Sequence, residues 1–176
     1  MTASPEPTLS YIAYEAFLHD LEALARAIGS ESWRPDFLVG IGRGGLVPAA
    51  YLSHRTDIPM LSVDHSSKVF GFADELLVKL AGQLVAGQRI LFIDDINDSG
   101  STIAYLRNAI LTHGGTSDRV RFAVLIDNCR SIAQVDYRAR SIDRRIDKDW
   151  FVFPWEAVAP HHTLVQDAQE VPARLA

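Results

Sequence analysis

The sequence predicts an α/β protein whose parallel, twisted sheet is flanked by helices. Short apolar runs with the length and composition of buried strands recur along the chain. Segments with apolar residues at helical spacing lie between them, so the connections are crossovers that join parallel strands. Two of the apolar runs are followed by glycine-rich stretches. Because ligands bind beyond the carboxyl ends of the strands in such sheets, we expect both stretches at one ligand-binding rim.

The predicted elements follow one another in chain order. A helix ends at Gly29 after apolar residues at helical spacing, namely Leu18, Leu21, Leu24, Ala25 and Ile28. It is followed by strand 36–41, by helix 46–55 with Pro48 in its first turn, and by strand 58–63. The alternation continues with helix 73–84, strand 89–94, helix 101–113, which stops at Gly114, and strand 120–126.

The composition favours one globular domain over residues 1–176, with residues 1–8 as a flexible tail. The formal net charge is -5, so no basic surplus exists to bind a nucleic acid. No apolar run has the length of a membrane span, no secretory signal opens the chain, and Cys129 is the only cysteine. We therefore expect a cytoplasmic protein without a membrane partner, in which Cys129 is a small buried apolar residue.

The stretch "ILFIDDINDSGST", residues 90–102, combines an apolar strand with carboxylates and a hydroxyl-rich turn into a helix. Backbone N–H groups at such a helix start, the helix dipole and the hydroxyls would hold a phosphate. The carboxylates would repel a phosphate, so they are expected to serve sugar hydroxyls or Mg²⁺. The alternative is an ordinary strand end with a serine cap. The candidate residues are Asp94, Asp95, Asp98, Ser99, Gly100, Ser101 and Thr102.

This stretch resembles the signature of the type I phosphoribosyltransferases, in which an apolar strand and two acidic residues precede a small loop. The resemblance implies that Asp94 and Asp95 hold the ribose hydroxyls of phosphoribosyl pyrophosphate. It also places the 5-phosphate on residues 98–102 and Mg²⁺ beside the acidic pair.

A second stretch, "PDFLVGIGRGGLVPA", resembles the pyrophosphate loop of the same family. The resemblance implies that Gly42, Arg43 and Gly44 contact the pyrophosphate, with Arg43 supplying a fixed charge. By itself the stretch is also typical of a tight turn. "VDHSSKVFGFADE" is expected to be the family's flap, in which Lys68 either closes over the diphosphate or is an ordinary solvated lysine.

A third stretch, "VDYRARSIDRRIDKDWFVFPWE", resembles the C-terminal part of xanthine-guanine and hypoxanthine phosphoribosyltransferases. The resemblance implies a small hood at about 127–160, in which Trp150 stacks on the purine and Phe151 contacts it. The alternative is that these aromatic residues belong to the core, which is our expectation for Trp155. The resemblance spans about Tyr11 to Glu156.

The chain departs from this pattern after the fourth predicted strand. The family places a lysine there to donate to the 6-oxo group of the purine, whereas this chain has Asp127 and Asn128. An amide can donate to an oxo group and accept from a ring N–H, so Asn128 is expected to read the base. Guanine, xanthine and hypoxanthine all stay open as substrates, and an aminopurine is not excluded.

The resemblance implies a purine phosphoribosyltransferase of nucleotide salvage, which joins a base to the ribose of phosphoribosyl pyrophosphate and releases pyrophosphate. Asp98 would be the general base, and the protein would be a homodimer or homotetramer. One alternative is a regulator or ligand sensor with this fold that binds without turnover. A receiver-like domain is a third interpretation, but it leaves the serine-rich turn without a purpose.

Overall fold

The computed structural model describes residues 6–64 and 73–170, and the statements below refer to these ranges. The strands are β1 (Leu9–Tyr11), β2 (Phe37–Ile41), β3 (Met60–Val63), β4 (Ile90–Asn97), β5 (Val120–Asn128), β6 (Tyr137–Ile142) and β7 (Trp150–Val152). The helices are α1 (Tyr14–Ser30), α2 (Gly42–Thr56), α3 (Ala73–Val85), α4 (Ser101–Thr112) and α5 (His161–Gln169). A short 3₁₀ turn covers Ser117–Arg119.

The main sheet has five strands in the order β3-β2-β4-β5-β6, and every neighbouring pair is parallel. Phe92 at its centre is paired with Val39 of β2 and with Phe122 of β5. This confirms the predicted α/β architecture with a parallel sheet flanked by helices. Because all strands run the same way, the carboxyl ends of β2, β4 and β5 lie on one edge.

Alternate residues of the strands enter two apolar cores, one on each face of the sheet. Leu91 and Ile93 pack with α1 and α2, whereas Ile90 and Phe92 pack with α3 and α4. Burial on both faces is the reason that these strands read as continuous apolar runs in the sequence. The rings of Phe92 and Phe122 stack at 5.2 Å between centroids.

A second, two-stranded parallel sheet joins the start of the described chain to its C-terminal part. Leu9 of β1 is paired with Trp150 of β7, and the backbone N–H of Trp150 donates to the Thr8 carbonyl at 2.8 Å. Beyond β7, the ring of Trp155 stacks on Phe153 at 4.8 Å and meets Phe17 of α1 edge-on. The prediction that Trp155 belongs to the core is therefore confirmed.

Several predicted boundaries differ from the structure. Helix α2 begins directly at Gly42, so the expected glycine turn is the first turn of the helix and Pro48 lies further inside it. Strand β4 extends to Asn97 and β5 to Asn128, which places their polar ends within the sheet. The edge strand β6 went unpredicted because only one of its faces is buried, so it lacks a continuous apolar run.

The segment 127–160, predicted as a base-binding hood, contributes β6 to the main sheet, and its role as a hood stays a prediction. One further expectation is corrected. Cys129 is exposed and not buried, because it follows the last residue of β5 outside the packed layers. None of the helices in the described ranges is both long and apolar enough to cross a membrane.

Candidate active site

A cavity of about 430 Å³ opens at the carboxyl edge of the main sheet. Its walls come from the end of β4, from the loop and first turn that lead into α4, and from the segment around β7. It is lined by Asp94, Asp95, Ile96, Asn97, Asp98, Ser99, Gly100, Ser101, Thr102, Ile103, Arg144, Trp150, Phe151, Phe153 and Glu156. The structure thus brings the predicted acidic and hydroxyl residues together with the predicted aromatic ones.

The loop between β4 and α4 has the backbone of an anion cradle. Gly100 precedes α4 with φ of 89°, a left-handed conformation that favours glycine. Ser99 Oγ lies 2.9 Å from Ser101 Oγ and accepts the Ser101 N–H at 3.3 Å, and the N-cap residue Gly100 makes no side-chain cap bond. N–H groups at the start of α4 are therefore available to a bound anion.

Residues 131–133, which follow β5, contact this loop. A Cβ atom on Gly100 would lie 2.5 Å from Ser131 Oγ and 2.6 Å from the Ala133 nitrogen. The buried Asn97 amide donates to the Ala133 carbonyl at 2.7 Å, and the Ile132 N–H donates to the Ser99 carbonyl at 3.1 Å. Only glycine fits at position 100, so the loop has one defined shape.

Three of the four carboxyl groups that line the cavity have raised pKa values. Burial and, next, the neighbouring Asp95 raise the pKa of Asp94 well above its usual range. Burial and, next, the carboxyl of Glu156 raise the pKa of Asp95 to about 7. Burial also raises the pKa of Glu156, although its Oε2 accepts the Phe153 N–H at 3.0 Å. Acids with such perturbed pKa values are typical of functional sites.

The first turn of α2 packs tightly against this acidic part of β4. A Cβ atom on Gly45 would lie 2.1 Å from the Ile93 carbonyl oxygen, and one on Gly44 would lie 2.4 Å from Asp95 Oδ2. The two glycines therefore bring the start of α2 against the acidic pair. Arg43 is exposed, and its charge acts to lower the pKa of Glu156, which offsets part of the effect of burial.

Residues 10–160, most of the chain, match the family described as the phosphoribosyl transferase domain. The chain belongs to the phosphoribosyltransferase family. It is therefore an enzyme of the phosphoribosyltransferase class, as the stretch at residues 90–102 suggested.

Relatives of known sequence or structure agree with this membership. The chain is 26% identical over 156 residues to the xanthine-guanine phosphoribosyltransferase of Cereibacter sphaeroides. This alignment covers 83% of this chain and 86% of that protein. The purine phosphoribosyltransferase of Pyrococcus horikoshii has a similar fold, with a TM-score of 0.62 and 23% identity over 86% of this chain and 97% of that one. The xanthine-guanine-hypoxanthine phosphoribosyltransferase of Helicobacter pylori gives a TM-score of 0.63 and 18% identity over 94% and 99%.

The cavity of this phosphoribosyltransferase holds a buried cation that the sequence did not reveal. Arg144 forms a bidentate ion pair with Asp98: Nε donates to Oδ1 at 2.9 Å and Nη2 donates to Oδ2 at 3.0 Å. Its guanidinium carbon lies 5.1 Å from the centroid of the Phe151 ring. Glu156 also escaped prediction, although it directly follows the Pro-Trp pair of the third stretch. No local pattern marks Arg144, since it stands in a run of other charged residues.

Asn128, which the sequence predicts to read the base, makes its hydrogen bonds within the protein. It is buried at the end of β5 and does not line the cavity. Its Nδ2 donates to the Asp98 carbonyl at 3.0 Å, and its Oδ1 accepts the backbone N–H groups of Arg130 at 3.1 Å and Arg144 at 3.3 Å. Through these bonds Asn128 joins the loop between β4 and α4 to the segment that carries Arg144, and its role in reading the base stays a prediction.

The other predicted contacts are distributed as follows. Trp150 and Phe151 both line the cavity, whereas Gly42, Arg43 and Gly44 lie in the first turn of α2 beside it. Lys68 lies outside the described residues. Within the described ranges, no group of three or more His, Cys, Asp or Glu side chains is arranged to hold a metal ion.

Proposed function

We propose that this phosphoribosyltransferase transfers the 5-phosphoribosyl group of phosphoribosyl pyrophosphate to guanine, xanthine or hypoxanthine in purine salvage. The observation that carries the proposal is the composition of one cavity, which joins a phosphate cradle and an acidic pair to the aromatic residues Trp150 and Phe151. The purine bases named for the relatives from Cereibacter, Pyrococcus and Helicobacter support it. Aromatic faces suit a flat base, and stacking contributes about 1–3 kcal/mol per base.

The residues of the cavity divide the substrate between them. Residues 99–102 hold the 5-phosphate through backbone N–H groups and hydroxyls. Asp94 and Asp95 accept hydrogen bonds from the ribose hydroxyls. The first turn of α2 at 42–44 directs its N–H groups at the pyrophosphate, where Arg43 adds a positive charge.

The reaction is a displacement at C1 of the ribose. A nitrogen of the base forms the new bond to C1 while the bond to the pyrophosphate oxygen breaks and its electron pair leaves with the pyrophosphate. Negative charge grows on that leaving group, so the start of α2 and Arg43 stabilise the transition state. Asp98 accepts the proton of the base. Its carboxylate has roughly four lone-pair positions, and the two hydrogen bonds from Arg144 use two of them, so acceptor positions remain for the base.

Mg²⁺ fits the donor set of the site. Mg²⁺ is usually held by one or two carboxylates together with substrate phosphates, and not by a cage of protein ligands alone. Asp94 and Asp95 offer such oxygens, and burial raises the pKa of both carboxyls. When bound, the ion would neutralise charge on the pyrophosphate.

The predicted homo-oligomer and the predicted cytoplasmic location also stay proposals. Light scattering of the purified protein tests the oligomeric state.

The experiment mixes the purified protein with Mg²⁺, phosphoribosyl pyrophosphate and each purine base, and measures the nucleotide and pyrophosphate formed. A matched pair of variants lies on α4. Thr102→Val removes a cavity hydroxyl, and we expect KM for phosphoribosyl pyrophosphate to rise about tenfold, since a hydrogen bond to a charged group contributes about 1.5–3 kcal/mol. Thr112→Val, whose hydroxyl donates to the Asn108 carbonyl and lies outside the cavity lining, should match the wild type.

The outcomes separate the alternatives. Nucleotide formation with at least one purine supports the proposal. Binding of phosphoribosyl pyrophosphate in calorimetry without any nucleotide formation would favour the regulator or sensor. The absence of both binding and turnover would contradict each of these functions.

A further inference from the structure

Arg144 is a buried cation in the wall of the cavity, next to the aromatic residues. Only 6% of the residue is exposed, yet it lines the cavity and lies against the ring of Phe151. A buried guanidinium needs partners, and Arg144 finds one in the carboxylate of Asp98. Arg144 therefore shares the cavity with Trp150 and Phe151, the two residues proposed to stack on the base.

The guanidinium is held in one orientation by several contacts. Nε and Nη2 donate to Asp98, and Nη1 donates to the Asp149 carbonyl at 2.6 Å. The backbone N–H of Arg144 donates to Asn128 Oδ1 at 3.3 Å, which fixes the chain below the side chain. A planar donor group that is fixed before the ligand arrives loses little entropy when it binds.

The donors of Arg144 are not all used. Nη2 carries two hydrogens and one is directed at Asp98, so its second N–H has no hydrogen-bond partner within the described ranges. A guanidinium has no acceptor. A ligand atom that meets this edge must therefore accept a hydrogen bond, and an amino group in the same place would leave two donors facing each other.

We infer that Arg144 is a specificity-determining residue, which selects bases with an oxo group at position 6 over bases with an amino group there. The inference rests on the proposed purine transfer and assigns its choice of 6-oxo bases to one residue. In the bound state Arg144 donates to the oxo group, while the neighbouring Asp98 carboxylate faces the N–H of the base. A site that pairs polar groups rejects an analogue strongly when the pairing fails.

The test compares IMP with AMP, because hypoxanthine and adenine differ at position 6 and in the proton at N1. Calorimetry of the full chain measures both dissociation constants, and turnover of hypoxanthine and adenine is measured alongside. We expect the wild type to bind IMP at least about tenfold more tightly than AMP. Equal binding of the two nucleotides, or equal turnover of the two bases, would overturn the inference and leave purine transfer standing. If no purine nucleotide binds and no purine is turned over, the proposed function itself fails.

Variants assign the selection to Arg144. Arg144→Gln offers both a donor and an acceptor, so the ratio of the two dissociation constants should fall to about one. The matched control is Arg145→Gln at the exposed neighbour, which pairs with Asp143 and should keep the wild-type ratio. An unchanged ratio in Arg144→Gln would show that another group reads the base.

A second variant covers the case in which the single one does not fold. Removing one partner of a buried ion pair is destabilising, whereas the double variant Arg144→Gln with Asp98→Asn replaces the pair by two amides. Its nucleotide binding requires no general base, so the same loss of preference is expected there. A double variant that still prefers IMP by the wild-type ratio would overturn the inference.

Discussion

Replacing Asp95 by Asn should separate the stability of this protein from its function. The carboxyl has a pKa of about 7 in the folded chain against an ordinary 3.8. Between these values the folded state keeps a proton that the unfolded state has lost, so the free energy of unfolding falls as pH rises from about 4 to about 7. A difference of about three pKa units corresponds to up to about 4 kcal/mol at pH 8.

Asp95→Asn removes that penalty with little change of shape. The Asn Oδ1 can still accept the Ile96 N–H, which Asp95 Oδ1 accepts at 2.7 Å. We therefore expect the variant to be more stable than the wild type at pH 8 by up to about 4 kcal/mol, and equal to it near pH 4. Since Asp94 and Asp95 interact, the titration belongs to the pair and part of the gain comes from Asp94. The variant should nevertheless bind phosphoribosyl pyrophosphate more weakly, because an acceptor of the ribose hydroxyls is altered.

Urea unfolding at several pH values between about 4 and 8 measures the stability difference. Asp118→Asn, on the exposed 3₁₀ turn before β5, removes the same formal charge away from the cavity and is the matched control. A stability difference between Asp95→Asn and the wild type that does not vary with pH would refute the reasoning. Calorimetry with phosphoribosyl pyrophosphate and Mg²⁺ measures the functional loss, and unchanged affinity would remove Asp95 from the substrate site.

Two further perturbations test the packing of α2 and the aromatic wall. Gly45→Ala directs a methyl group at the Ile93 carbonyl, so urea unfolding should show that the free energy of unfolding falls by about 1–3 kcal/mol. The control Gly82→Ala lies in α3 with open space around it, and its free energy of unfolding should rise by up to about 1 kcal/mol. A harmless Gly45→Ala would mean that α2 does not approach β4 this closely. Trp150→Ala should weaken IMP and AMP binding by a similar factor, since stacking contributes about 1–3 kcal/mol without reading base edges. A changed ratio between the two nucleotides would mean that Trp150 takes part in selection.

The sequence by itself determined the parallel sheet and the local parts of the site. Strands buried on both faces read as apolar runs, so β2, β4 and β5 were visible without any knowledge of their neighbours. The loop between β4 and α4 and the acidic pair were visible because all of their residues lie within 90–102, where strand, turn and helix start follow directly. Such features depend on contacts between residues close in sequence.

Only the tertiary structure decided which charged groups pair in the site, how their pKa values shift and which side chains line the cavity. Arg144 meets Asp98 across 46 residues, and Asn128 turns its amide to the backbone because β5 continues beyond the predicted strand. The raised pKa of Asp95 requires burial beneath α2 and the approach of Glu156 from beyond β7. Desolvation and ion pairing depend on distance in space and on excluded water, and neither is encoded in the spacing of residues along the chain.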